Sequence, residues 1–236
     1  MPIKNCADFS MVVYNHGTVL ERNEVPSRNN FESLIGKVFA SRGYVTLMPD
    51  YLGLGDSPGL HPYLHAETQA TATIDMMRAV REALTDSLSG YNLNTEVFLT
   101  GYSQGGHACM ATAKYIKDEN LQSEFNVVAA APASGPYDLT GSQASIFIND
   151  QPYSNPGYVV YLLLGMNEGY GGTLFNNPSE ILKAPYDVTI PPYFNGNYPM
   201  DSVNNKLPSR VSQYLEDSVL NAFIADTVNQ NHWIWM

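Results

Sequence analysis

Apolar residues first gather at Met11, where Met-Val-Val-Tyr runs into Asn-His-Gly-Thr. A short apolar run ending at a glycine predicts a buried parallel strand that delivers a loop. The period then changes: Phe31, Leu34, Ile35, Val38 and Phe39 fall at helical spacing, predicting a helix over 31–41 that Gly43 is placed to end. Tyr44-Val45-Thr46-Leu47-Met48 reads as a second strand, closed by Pro49-Asp50 and the glycine-rich stretch from Tyr51 to Gly59. From Ala66 to Leu84, the residues Ala70, Ile74, Met77, Val80 and Leu84 share one face, which predicts a long amphipathic helix packed on a sheet. A third strand over Thr95 to Thr100 runs into Gly101-Tyr102-Ser103-Gln104-Gly105-Gly106, then an alanine-rich helical segment through Ile116, then a fourth strand over Phe125 to Ala131. Strands alternating with helices predict an α/β core, a parallel sheet covered on both faces.

The pattern breaks beyond Ser134. Pro, Asn, Gly and Tyr dominate from Gln151 to Pro208, and helical spacing returns only from Arg210 to Val228, through Val211, Leu215, Val219, Ala222 and Phe223. The predicted organisation is therefore a core with its loops over residues 1–148 and a different kind of structure over 149–236. No internal repeat is visible.

Composition narrows the function classes. Hydrophobic residues make up 44% and charged residues 15%, too apolar for a disordered chain and too poor in Lys and Glu for a coiled coil. Twelve Lys and Arg against 23 Asp and Glu give a net charge of -11, which disfavours nucleic acid and anionic membranes as partners. The longest apolar run, Tyr158 to Leu164, falls far short of the ~18 residues of a membrane span. The two cysteines, Cys6 and Cys109, are too few for a disulfide framework, and no Cys/His cluster suggests a metal. No cofactor is expected. The first residues lack the apolar stretch of a secretory signal, so an export signal would have to lie upstream.

Gly101-Tyr102-Ser103-Gln104-Gly105 fits G-x-S-x-G, whose meaning depends on standing between a strand and a helix. A nucleophile on such a sharp turn holds strained backbone angles, and glycines on either side remove Cβ atoms that would clash. Ser103 would then project above the sheet, with the Gln104 N–H offered to an oxyanion at the positive end of the following helix. The alternative is a strand-to-helix turn that merely needs glycines. Thr18, in the loop after the first strand, is placed to supply the second oxyanion N–H, while His16 reads as a structural histidine bonded to loop backbone.

Four segments together carry a family resemblance. They are Asn15-His16-Gly17-Thr18, Asp50-Tyr51-Leu52-Gly53-Leu54-Gly55-Asp56-Ser57, His61-Pro62-Tyr63-Leu64-His65-Ala66 and Gly101-Tyr102-Ser103-Gln104-Gly105-Gly106-His107. In this order they resemble α/β-hydrolases of the secretory lipase type, over about Met11 to Leu139 and more loosely beyond. The resemblance implies a serine esterase or lipase, a type often secreted, with Ser103 as nucleophile, Thr18 and Gln104 as oxyanion donors, and the region after Ile148 as a cap over an acyl pocket. Its substrate would be a small-molecule ester or a lipid. Tyr153, Tyr158, Tyr161, Leu162 and Met166 suit such a lining, or equally an ordinary core. A serine peptidase or acyltransferase on the same fold is the nearest alternative, and a non-catalytic remnant binding apolar ligands the more distant one.

The base and acid are harder to place. In this fold they follow the serine in the order acid, then histidine, and only His232 follows the elbow helix. Asp226 with His232 is one candidate pair, but no carboxylate follows a convincing strand, and only about four core strands are readable. The expectation is an incomplete hydrolase whose acid and base lie outside this chain, and whose open sheet edges favour self-association.

Overall fold

The computed structural model describes residues 8–86, 92–139, 141–145 and 149–229. The chain divides into two units, one made of Met1–Thr18, Asn23–Pro58 and Ala66–Gly135, the other of Val19–Arg22, Gly59–His65 and Pro136–Met236.

The first unit is built on strands β1 (Asp8–Asn15), β2 (Val45–Leu47), β3 (Asn92–Tyr102) and β4 (Asn126–Ala133), with helices α1 (Ser33–Ser41), α2 (Ala66–Asp86) and α3 (Gln104–Asp118) between them. Among the described residues the sheet has the order β2-β1-β3-β4, and every pairing is parallel. Parallel pairing is why Met11 to Tyr14 and Val97 to Leu99 read as apolar runs: both faces of these strands are covered. Met11, Val13, Leu47, Leu99, Ile74 of α2 and Ile116 of α3 form its core. The register sets Asn15 beside Gly101 and Tyr102 beside Ala133, so the loops leaving β1, β3 and β4 emerge level with one another. In open α/β sheets, ligand sites gather outside these carboxyl ends.

Helix α1 departs from its apolar periodicity. Phe31 precedes the helix and is 83% exposed, and Val38 is 61% exposed, while the buried positions are Ser33 and Gly36. The cause is close packing. A Cβ at residue 36 would run into the Met48 side chain just past β2, so the helix lies where only its smallest face fits. Gly43, at φ +99, ends the helix as expected, with the Tyr44 N–H returning to the Phe39 carbonyl.

Cys109 is wholly buried on α3, and burial pushes its thiol up to about 11. With Cys6, which lies outside the described residues, replaced by serine, an aromatic disulfide reagent at pH 8 is expected to modify Cys109 only at the rate of unfolding. Modification at the rate of a free thiol would show instead that α3 is not packed as described.

The second unit is helical and irregular, with α4 (Gly157–Gly169), α5 (Tyr186–Thr189), α6 (Met200–Asn204) and α7 (Asp217–Asn229) joined by short 3-10 turns. Its core is aromatic: Tyr161, only 1% exposed, stacks on Tyr63 at 4.4 Å with the rings 2° from parallel, and packs on Phe194 at 5.4 Å. The C-terminal helix begins at Asp217 rather than Arg210. Val211–Gln213 form a short 3-10 turn, Leu215 then pairs in an isolated antiparallel bridge with Leu182, and the Glu216 N–H donates to the Ile181 carbonyl, so the α-helix starts only after this bridge. Among the described residues no helix is long and apolar enough to cross a membrane.

Candidate active site

Strand β3 ends at Tyr102, helix α3 begins at Gln104, and Ser103 is the single residue between them. Its φ of 56° and ψ of -120° lie outside the regions a non-glycine residue ordinarily occupies, a strain the surrounding packing must hold. That packing is visible on both sides. A Cβ on Gly105 would collide with the Asn15 carbonyl oxygen and approach the His16 carbonyl to 2.8 Å. One on Gly101 would collide with the Gly105 carbonyl and lie 2.7 Å from that of Asn15. The glycines of the motif therefore let β3, α3 and the end of β1 meet backbone to backbone. The Ser103 N–H donates to the Ala133 carbonyl at the end of β4, at 2.9 Å, and its hydroxyl makes no cap to its own helix.

Gln104 opens α3, so its N–H belongs to the first turn, which has no acceptor within the helix. Because Asn15 pairs with Gly101, the His16-Gly17-Thr18 loop leaves the sheet beside the elbow. The structure thus brings the segments that carry Ser103, Gln104 and Thr18 out side by side at the carboxyl end of the two central strands. Asp226 falls on α7, but its side chain and His232 lie outside the described residues.

Three of the other histidines are held by packing partners. His16 is buried, with Nδ1 2.7 Å from the Gly17 carbonyl oxygen and Nε2 3.2 Å from that of Asp50, and its ring lies 4.4 Å from Tyr51. Burial lowers its pKa, which the two carbonyls partly oppose. His107, one turn along α3, has Nδ1 2.7 Å from the Gln69 amide oxygen. In the second unit, His65 meets the Tyr170 ring edge-on at 4.7 Å. Among the described residues no group of His, Cys, Asp or Glu is arranged to hold a metal ion.

One polar residue at this end of the sheet was not legible from the motifs. Glu32 stands at the N-terminus of α1, where an acidic residue is expected merely to complement the helix dipole. Its carboxylate instead receives the Gly17 N–H, at 3.2 and 3.3 Å from its two oxygens, and the Tyr14 hydroxyl at 2.7 Å. Burial first, then this bond to Glu32, raises the Tyr14 phenol well above its usual range.

The second unit holds a cavity of about 100 Å³ lined by Tyr63, Leu64, Leu139, Tyr153, Tyr158 and Leu162. Tyr153 and Tyr158 thus line a cavity, while Tyr161 sits in the aromatic core.

The sequence matches the secretory lipase family over residues 30–178. No curated protein gives a significant match. Among solved structures, a candidate hydrolase of Legionella pneumophila is 32% identical with a TM-score of 0.82, the alignment covering 96% of this chain and 60% of that one. The rice cell wall degrading esterase LipA of Xanthomonas oryzae is 30% identical with a TM-score of 0.77, covering 94% and 60%. Candida antarctica lipase A in its closed state is 17% identical with a TM-score of 0.67, covering 94% and 51%, and bears on the fold alone. The chain spans about 60% of the length of the first two. A parallel sheet in the order β2-β1-β3-β4, a strained serine between strand and helix, and a family match over more than half its length lead to one assignment: the chain belongs to the secretory lipase family of α/β-hydrolases.

Proposed function

We propose that the protein hydrolyses carboxylic esters by acyl transfer through Ser103. The observation that carries this reading is the backbone of Ser103, held at φ 56° between β3 and α3 by glycine contacts that leave no room for a Cβ on either side. Strain of this kind is kept where it presents a reacting group. The serine hydroxyl would attack the ester carbonyl, its proton passing to a base, and the carbonyl electrons would move onto an oxygen facing the N–H groups of Gln104 and Thr18. Collapse of that tetrahedral species expels the alcohol and leaves an acyl-serine for water to cleave. The family match favours esters over peptides as substrates.

A fluorophosphonate probe tests the nucleophile. Ser103 is expected to take the label, found by peptide mass spectrometry, and nitrophenyl esters are expected to be cleaved in preference to peptide anilides. Label on a different residue, or none, would overturn the assignment. Oxyanion donors without a base supply only ~10³ to 10⁴ over water. Slow turnover that is indifferent to His232→Ala therefore fits a base outside this chain, whereas fast turnover lost in that variant makes His232 the base.

A further inference from the structure

We propose that Glu32 is a positioning residue of the oxyanion loop, a clamp that fixes the two peptide planes flanking Gly17 and so aims the Thr18 N–H. The inference rests on the reading of Ser103 as nucleophile.

The argument starts from planarity: each peptide's C=O and N–H point in opposite directions, so holding one end orients the other. The peptide between His16 and Gly17 is held at both ends. Its carbonyl accepts the Tyr51 hydroxyl at 3.1 Å, and its N–H goes to the Glu32 carboxylate. The next peptide, between Gly17 and Thr18, has its carbonyl held by His16 Nδ1 at 2.7 Å, which turns the Thr18 N–H the opposite way. Gly17 joins these two planes, and as a glycine it would otherwise be free to rotate between them. Glu32 removes that freedom from one side and His16 from the other.

Position along the chain supports the same role. A Cβ on Gly17 would lie 3.3 Å from Glu32 Oε1 and 3.6 Å from the Tyr102 carbonyl oxygen, so the loop threads between the carboxylate and the residue preceding Ser103. Glu32 makes no side-chain cap to its own helix, the usual use of a polar residue at that place, and is itself steadied by the Tyr14 hydroxyl. A carboxylate next to an oxyanion site is electrostatically adverse. Its presence there is explained by geometry: by accepting the Gly17 N–H it fixes the peptide plane that leads into Thr18.

A clamp and a charge make different predictions. Glu32→Gln keeps an acceptor for Gly17 and a partner for Tyr14 but removes the charge, while Glu32→Ala removes both. The rate of Ser103 labelling by a fluorophosphonate is expected to fall at least tenfold in Glu32→Ala and to stay within threefold of wild type in Glu32→Gln. Tyr14→Phe, which frees one side of the carboxylate, should fall between them. By NMR hydrogen exchange, the Gly17 amide should exchange at least tenfold faster in Glu32→Ala with the amides of β1 unchanged. Labelling of Glu32→Ala at the wild-type rate, or equal impairment of the glutamine variant with Gly17 still protected, would overturn the proposal. A wild-type chain that takes no label fails the nucleophile reading rather than the clamp. The Gly17 amide then decides, faster exchange in Glu32→Ala upholding it and unchanged exchange overturning it.

Discussion

Ser103→Ala and Ser103→Gly are both expected to abolish fluorophosphonate labelling and reduce ester hydrolysis to background, yet to differ in stability. Alanine keeps a Cβ at φ 56°, so the backbone strain remains. The lost hydroxyl costs nothing in capping, because it makes no bond to its helix. Its unfolding midpoint should match wild type. Glycine relieves a strain of ~1 to 3 kcal/mol, offset by the ~0.5 to 1 kcal/mol of extra freedom it gives the unfolded chain. Net stabilisation of about 1 kcal/mol is the expected outcome, read from urea unfolding. A gain in both variants would trace the effect to the side chain rather than the backbone, and a loss in Ser103→Gly would show that the angle at 103 is not strained. Stabilisation accompanied by loss of function is the signature of a residue held for its chemistry.

What the sequence makes legible is the part of the fold built on short-range rules. Met11 to Tyr14, Ala66 to Leu84 and the elbow after Thr100 each carry a local signature, and they appear as β1, α2 and the junction of β3 with α3. What it hides depends on how closely two elements approach. The stripe of Phe31, Leu34 and Val38 gives a helical period whose apolar side faces out, because Gly36 is the residue that lets α1 settle against Met48. Periodicity weighs the apolar character of side chains and is blind to a contact made possible by having none. The same blindness covers residues 210–216, where helical spacing is overridden by a tertiary bridge from Leu215 to Leu182. At the site, Ser103, Gln104 and Thr18 stand in recognisable motifs, but Glu32 does not. Its partners, Tyr14 and Gly17, lie 18 and 15 residues away, and an acidic residue at a helix start needs no further explanation from sequence.

Gly105→Ala should be the most damaging single substitution in the first unit. The added methyl would meet the backbone oxygens of Asn15 and His16, neither of which can swing aside as a flexible side chain would. Making room means pushing α3 away from the end of β1. That movement separates the Ser103 elbow from the His16-Gly17-Thr18 loop and loosens Cys109 and Ile116 of α3 from their buried contacts. Overpacking usually costs ~1 to 3 kcal/mol, and a clash with rigid backbone at the centre of a parallel sheet should exceed that range, to about 4 kcal/mol or more. Gly43→Ala is the matched control. Gly43 has φ +99 and nothing within 4 Å of an added Cβ, so only the backbone preference is lost, about 1 kcal/mol. Urea unfolding of the two variants separates close approach from conformational freedom. Equal costs would mean that Gly105 serves only as a turn residue, and that the meeting of β1, β3 and α3 is looser than the structure describes. A much larger cost at 105, with Cys109 now open to thiol reagents in the folded protein, is the result expected if that junction holds the nucleophile in place.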